Sequence, residues 1–518
     1  MRGNWLDDDS VTPAISGRAR PRPATPADTP ARGRSRLGHD RTARPSSAHT
    51  LDAFDPDNRF SPAPTEVDAV TARTNASDSG VRTPGWALAV TAAGVIAALS
   101  VLAGGFAFSN GETITAGFVM IVLGTVTLLA LKRVAADTMH GEYPILVAGL
   151  AMKLLASLLR YWISFSGTIY ERSDAKTYDV EGRRIATEFI SQGHLPNYKS
   201  YTGSNFLRLL TGILYDLIPP STLAAFFIFG WFSFLGYLMF WRAMRRTVAP
   251  GQDRKYLILL LFMPSVAYWP SSLGKEAVVI LGLGMASLGF ARMITNATLS
   301  GAVLAGAGTV LVTYVRPHVA LVILIGAAVA MVVRKRPSGQ IVSSIVTAVL
   351  FIPILTFTLG QASAYFNGDI TDSKVQAETQ TEADDRTSQG GSQFDNAAVQ
   401  ITNPINFPYA TWTVIMRPMP WEAPSPQEFA TAIESTFIGL LLIRNFPRIA
   451  RNLRRVNGYM IYAFVNLVVF IFLFSNFANF GILARQRTQI APFLFLLLAM
   501  PLSERIRKKQ RNSDFAAA

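Results

Sequence analysis

From Trp86 onward, apolar runs long enough to cross a bilayer follow one another along the chain. About 20 helical residues cover the hydrocarbon core, where each backbone polar group must be satisfied within its own element, so such a chain folds as a bundle of membrane helices. The runs lie near 86–108, 114–131, 143–165, 221–241, 256–269, 277–293, 299–314, 319–333, 341–359, 429–443, 459–475 and 490–502. They predict an all-α polytopic membrane protein with about twelve transmembrane helices. Half of the 518 residues are hydrophobic and only 16% are charged, a balance far from that of soluble domains.

The formal charge of +14 is spread over short segments that flank the apolar runs: "LKRVAADTMHGE", "WRAMRR" with "GQDRK", "RKRPSG", "RNFPRIARNLRR" and "SERIRKKQRN". These alternate onto one side, which by the positive-inside rule is the cytoplasm, with both termini inside and the protein in the plasma membrane. That placement argues against a nucleic-acid partner. With no cysteine, disulfides, thiolate metal sites and a cysteine nucleophile are excluded.

The expected organisation is a disordered cytoplasmic tail over 1–85, two accessory helices over 86–142, a main membrane domain over 143–502 and a basic tail over 503–518. "GRARPRPATPADTPARGRSR" typifies the first segment, which has no signal-peptide core and offers a cytoplasmic partner a flexible docking tail. Two outer loops are long, 166–220 and 361–428. The first predicts two juxtamembrane helices; "DSKVQAETQTEADDRTSQGGSQ" in the second reads as a flexible insertion or a lid.

Charged residues on the outer side run against the positive-inside bias and call for an anion. Arg183 and Arg184, Arg316 of "YVRPH", Arg417 of "RPMPWE", and Arg485 and Arg487 of "ARQR" all fall there. Lys275 and Glu276 follow the "PSS" turn at the start of a returning helix, where the positive helix end adds to the lysine. A snorkelling interfacial pair is the plainer account of those two. In "DAKTYDVEGRRIATEFI", Asp174, Tyr178 and Glu181 at i, i+4 and i+7 share one helical face, and Asp174 also suits capping beside Ser173. Lys153 falls near mid-membrane, with Arg160 seven residues on, and predicts a buried partner such as Glu434.

A large outer loop with two helices and an early acidic residue, followed by many spans, resembles the GT-C superfamily of polytopic glycosyltransferases, and "ARQRTQIAPFLFLLLAMPL" is similar to their Arg- and Pro-containing last region. The resemblance covers roughly Tyr143 to the C-terminus, and the adjacent acidic pair of several members is missing, Asp174 and Asp179 standing five apart. It implies a lipid-linked sugar donor, a polyprenyl-phosphate or -pyrophosphate carrier, used on the outer face, with Asp174 as base. Lys275, Arg316, Arg417, Arg485 and Arg487 would hold the lipid phosphate; Tyr178, Glu181, Glu276, His318, Trp421 and Glu422 are weaker choices for sugar or acceptor contact. No metal ligand is assigned, and a divalent metal stays open. An O-antigen-type polysaccharide polymerase would use similar arginines, and a polysaccharide or lipid flippase is the non-enzymatic alternative.

Overall fold

The computed structural model describes residues 84–136, 142–166, 173–194, 196–198, 200–248, 253–296, 298–333, 341–365, 394, 404–423, 425–452, 457–475 and 477–499. The expected tails, apart from residues 84 and 85, and most of the 361–428 loop lie outside the described residues. Among the described residues seventeen α-helices follow in order: α1 (Gly85–Ala107), α2 (Gly111–Ala136), α3 (Tyr143–Phe165), α4 (Asp174–Gln192), α5 (Ser204–Leu217), α6 (Thr222–Thr247), α7 (Asp253–Phe262), α8 (Pro264–Tyr268), α9 (Lys275–Asn296), α10 (Leu299–Val315), α11 (Pro317–Val333), α12 (Ile341–Tyr365), α13 (Phe407–Met416), α14 (Pro426–Asn452), α15 (Gly458–Phe474), α16 (Phe480–Arg487) and α17 (Ala491–Leu498).

Among the described residues α1, α2, α3, α6, α9 and α14 are long and apolar enough to cross a membrane, while α10, α11 and α15 are apolar but shorter, at 17 residues each. The two helices expected between the third and fourth spans are α4 and α5. Helix α9 is the axis of the bundle, packed along α6 on one side and α10 on the other. Close approach makes this work: a Cβ at Gly284 would collide with the backbone of Gly236 on α6. Small residues that let backbones touch are how helices gain contact in a lipid solvent.

The run at 256–269 is one span in the sequence reading, yet the chain breaks it at Met263 into α7 and the five-residue α8. Pro264 has no N–H for α7 to use and forces the residue before it into extended backbone, with Met263 at φ −64 and ψ 130. The run at 490–502 likewise gives only the short α17, which packs against α7.

Lys153 and Glu434 correct the expected ion pair. Glu434 accepts from the backbone N–H and the hydroxyl of Ser265, both at 2.7 Å, while Lys153 Nζ donates to Val266 O at 2.6 Å and Ala267 O at 3.3 Å. The carboxylate therefore holds the positive end of α8 and the ammonium its negative end, as the helix dipole favours. Lys153 also stands 4.8 Å from the Tyr237 ring centre. Replacing Lys153 with Met leaves the buried Val266 carbonyl without a donor, while Ala267 O keeps the Ser271 hydroxyl at 2.6 Å, and a loss of about 1–3 kcal/mol is expected. A thermal midpoint in nanodiscs equal to wild type would dismiss this role.

Candidate functional site

Ser173 caps α4 by accepting from the Ala175 N–H at 3.3 Å, so Asp174, the first helical residue, keeps its carboxylate for other work. Its Oδ2 accepts from Arg485 Nη2 at 2.9 Å, across 311 residues of chain. The Arg485 Nε turns inward to Glu276 Oε1 at 2.6 Å, and Arg316 Nη2 meets that same oxygen at 2.6 Å. Glu276 is 2% exposed, so it acts as the buried counter-ion that aims two guanidiniums. The other arm of Arg316 donates to Gln486 Oε1 at 2.5 Å. Burial opposes the charge of Arg485, but Glu276 and Asp174 beside it outweigh that and raise its pKa.

Lys275 precedes Glu276 at the first turn of α9. It is half-buried, and among the described residues it makes no hydrogen bond or ion pair. Its ammonium lies against the start of α5: a Cβ at Gly203 would stand 4.0 Å from Nζ and 3.1 Å from the Tyr365 ring. Gly203 has φ 65, so the position suits glycine on conformational grounds as well, and its N–H donates to Tyr314 O at 2.8 Å. Two helix N-termini, those of α5 and α9, thus meet at one lysine. Tyr178 lies beneath, its hydroxyl 3.5 Å from Ser204 Oγ; burial first, and the Asp174 carboxylate after it, push its pKa up to about 12, so it remains a neutral donor. His318 packs its ring near Tyr365 and Phe474.

The cluster therefore gathers Asp174, Tyr178, Lys275, Glu276, Arg316 and Arg485, from α4, α9, the α10–α11 junction and α16. Three cations face two carboxylates. That excess positive charge, with two helix N-termini, is what an anion such as phosphate requires.

The remaining expected residues do other work. Arg487 is buried and donates to the backbone oxygens of Val414 (2.9 Å) and Arg417, and to Ser435 Oγ at 2.6 Å, fastening α16 to α13 and α14. Arg417 pairs with Glu422 at 2.8 Å and covers the Phe394 ring at 3.9 Å; Glu422 Oε2 also accepts from the Met419 N–H. Trp421 is 78% exposed. Glu181 turns to Arg184 at 2.9 Å, and Arg184 also reaches Glu188, so the anion sought for Arg184 is supplied by its own helix.

Sequence reasoning passed over Asp179, which α4 directs inward. Its Oδ1 accepts from Tyr215 Oη at 2.5 Å and Thr222 Oγ1 at 2.8 Å, and its Oδ2 from Arg183 Nε at 3.2 Å. Burial and the Asp179 carboxylate raise the Tyr215 pKa, which keeps this hydroxyl a donor. Arg183 continues to Glu112 of α2 at 3.0 Å. The i, i+4 spacing of Asp179 and Arg183 was the visible signal. Among the described residues no group of three or more His, Asp or Glu forms a metal-ligand set. Comparison with known protein families, with curated proteins and with solved structures finds no match for this chain.

Proposed function

We propose that the chain is a membrane glycosyltransferase of the GT-C type, moving a sugar from a polyprenyl-phosphate-type carrier to a cell-envelope glycan or lipid acceptor at the outer face of the plasma membrane. The observation that carries this reading is Lys275, a cation without an ion-pair partner among the described residues, set between two helix N-termini and beside two arginines aimed by Glu276. A protein keeps such charge uncompensated where a ligand brings the balancing anion.

In the reaction, the acceptor oxygen forms a bond to the anomeric carbon as the bond from that carbon to the carrier phosphate oxygen breaks. The acceptor proton passes to Asp174, whose Oδ1 is free of Arg485, and the electron pair leaves with the phosphate. Lys275, Arg316 and Arg485 stabilise the charge developing there; fixed cations of this kind act without reorganising. Glu276 keeps the guanidiniums oriented, and Tyr178 offers its hydroxyl.

Asp174→Asn should lower transfer by roughly 10²–10⁴-fold, the usual range for a general base. The Asp174 side chain is 58% exposed, so losing its ion pair should cost less than about 1 kcal/mol of stability. Transfer by the purified variant in nanodiscs at the wild-type rate would refute the role of Asp174.

Movement of the same lipid-linked anion across the bilayer has its own support in the interrupted pairs α7–α8 and α16–α17, because discontinuous helices serve transporters as binding sites. Proteoliposomes separate the two readings: a transferase forms product without moving its lipid, and a flippase moves lipid without product.

A further inference from the structure

Next to the cation cluster lies a cleft of about 350 Å³ of empty space, its open mouth included, lined by Trp269, Pro418, Ser425, Gln427, Glu428, Thr431, Phe480, Gly481 and Ala484. Much of that space is the open mouth: the part a water-sized sphere can occupy is about 60 Å³, so a bound ring would be gripped along one edge and stand partly in the open. The lining combines two aromatic side chains with a carboxylate, an amide and two hydroxyls. This is the mixture a sugar needs, since its ring presents apolar C–H faces and polar edges.

Glu428 is the informative member. It is 7% exposed, and its Oε2 is committed to the Ser425 N–H at 3.2 Å and the Ser425 hydroxyl at 2.9 Å. Its Oε1 accepts no hydrogen bond among the described residues. Ser425 thus fixes the carboxylate in place and leaves one acceptor for a ligand hydroxyl. Thr431, one turn further along α14, gives its proton to Gln427 O at 3.0 Å, which leaves its oxygen to accept.

Two stretches of chain tie this cleft to the cations. On α16, Gly481 lines the cleft and Arg485 follows it at i+4 on the same face, about 6 Å along the axis. Trp269, also in the lining, leads through the 269–274 turn directly into Lys275. One helical turn is about the distance between a phosphate and the ring it carries.

Building on the phosphate reading above, we infer that the Glu428 cleft holds the sugar ring of the phosphate-linked donor, Glu428 Oε1 accepting from a ring hydroxyl and Trp269 supplying an apolar wall. The cleft thereby selects the sugar, while the Lys275 cluster holds the phosphate common to all such donors.

The test is saturation-transfer NMR on the full chain in nanodiscs, with methyl glycosides and sugar 1-phosphates of a panel of hexoses and pentoses. One methyl glycoside is expected to bind and to compete with its own 1-phosphate. Glu428→Gln should weaken both by about 10-fold, the worth of one good hydrogen bond. Thr431→Leu, which fills the cleft from an intact helix, should abolish both, and Lys275→Ala should weaken the 1-phosphate alone. Simultaneous binding of the glycoside and the 1-phosphate would overturn the assignment to the donor, giving the cleft to an acceptor. Absence of any saccharide binding, or binding indifferent to both cleft variants, would overturn the cleft itself. If Lys275→Ala leaves 1-phosphate binding intact while Thr431→Leu removes it, the cleft stands and the phosphate reading falls.

Discussion

Lys275→Ala should reduce transfer from a polyprenyl-phosphate donor by at least about 10²-fold, the usual loss when one preorganised donor to a developing negative charge is removed. The fold should not suffer. Lys275 makes no ion pair or hydrogen bond among the described residues, so its removal orphans no partner and relieves the desolvation of a half-buried charge. The informative measurement is therefore a pair, transfer rate and thermal midpoint on the same nanodisc preparation. Low transfer with an unchanged or higher midpoint supports a ligand-binding cation. Equal loss of both would make Lys275 a structural residue and remove the main support for the anion site.

The opposite pattern is expected one residue later. Glu276→Gln withdraws the charge that both Arg316 and Arg485 address at 2.6 Å, with Glu276 and Arg316 almost closed to solvent and Arg485 partly exposed. Breaking a buried pair from one side typically costs about 3–5 kcal/mol, because the remaining charge is left buried without compensation. Arg485 keeps Asp174, so Arg316 is the charge left buried, and the variant should melt well below wild type. A normal midpoint would mean that water or lipid headgroups already compensate the arginines. The two substitutions, adjacent in sequence, thus separate binding from assembly.

Much of this arrangement could be read from residue order alone, for identifiable reasons. Apolar runs report the solvent that surrounds a helix, so α1, α2, α3, α6 and α9 were legible to within a few residues. Asp174, Lys275, Arg316 and Arg485 were legible as a group because charge at the ends of apolar runs is costly enough to need a reason. Distance in the fold was not legible. Nothing in "ARQR" says that Arg485 reaches Asp174 while Arg487, two residues on, turns to the backbone of Val414. The Lys153 and Glu434 outcome shows the same limit: two buried opposite charges invite pairing, but the break at Pro264 created backbone donors and acceptors that each could serve. Glu428 escaped notice because a carboxylate three residues after a serine looks like an ordinary helix start, and it does that work with one oxygen only.

Arg183 carries a consequence for how the chain varies. It binds Asp179 on its own helix, Thr222 at the head of α6 and Glu112 at the head of α2, so the N-terminal hairpin bears directly on α4. Asp174 and Tyr178 ride on that helix. That helix is thus fastened partly to a hairpin that carries neither residue, through an Arg183–Glu112 pair that stands half open to solvent. The hairpin is a mooring for α4: a substitution at Glu112 should loosen the hold on the helix that bears Asp174 while leaving every residue of the cation cluster the same.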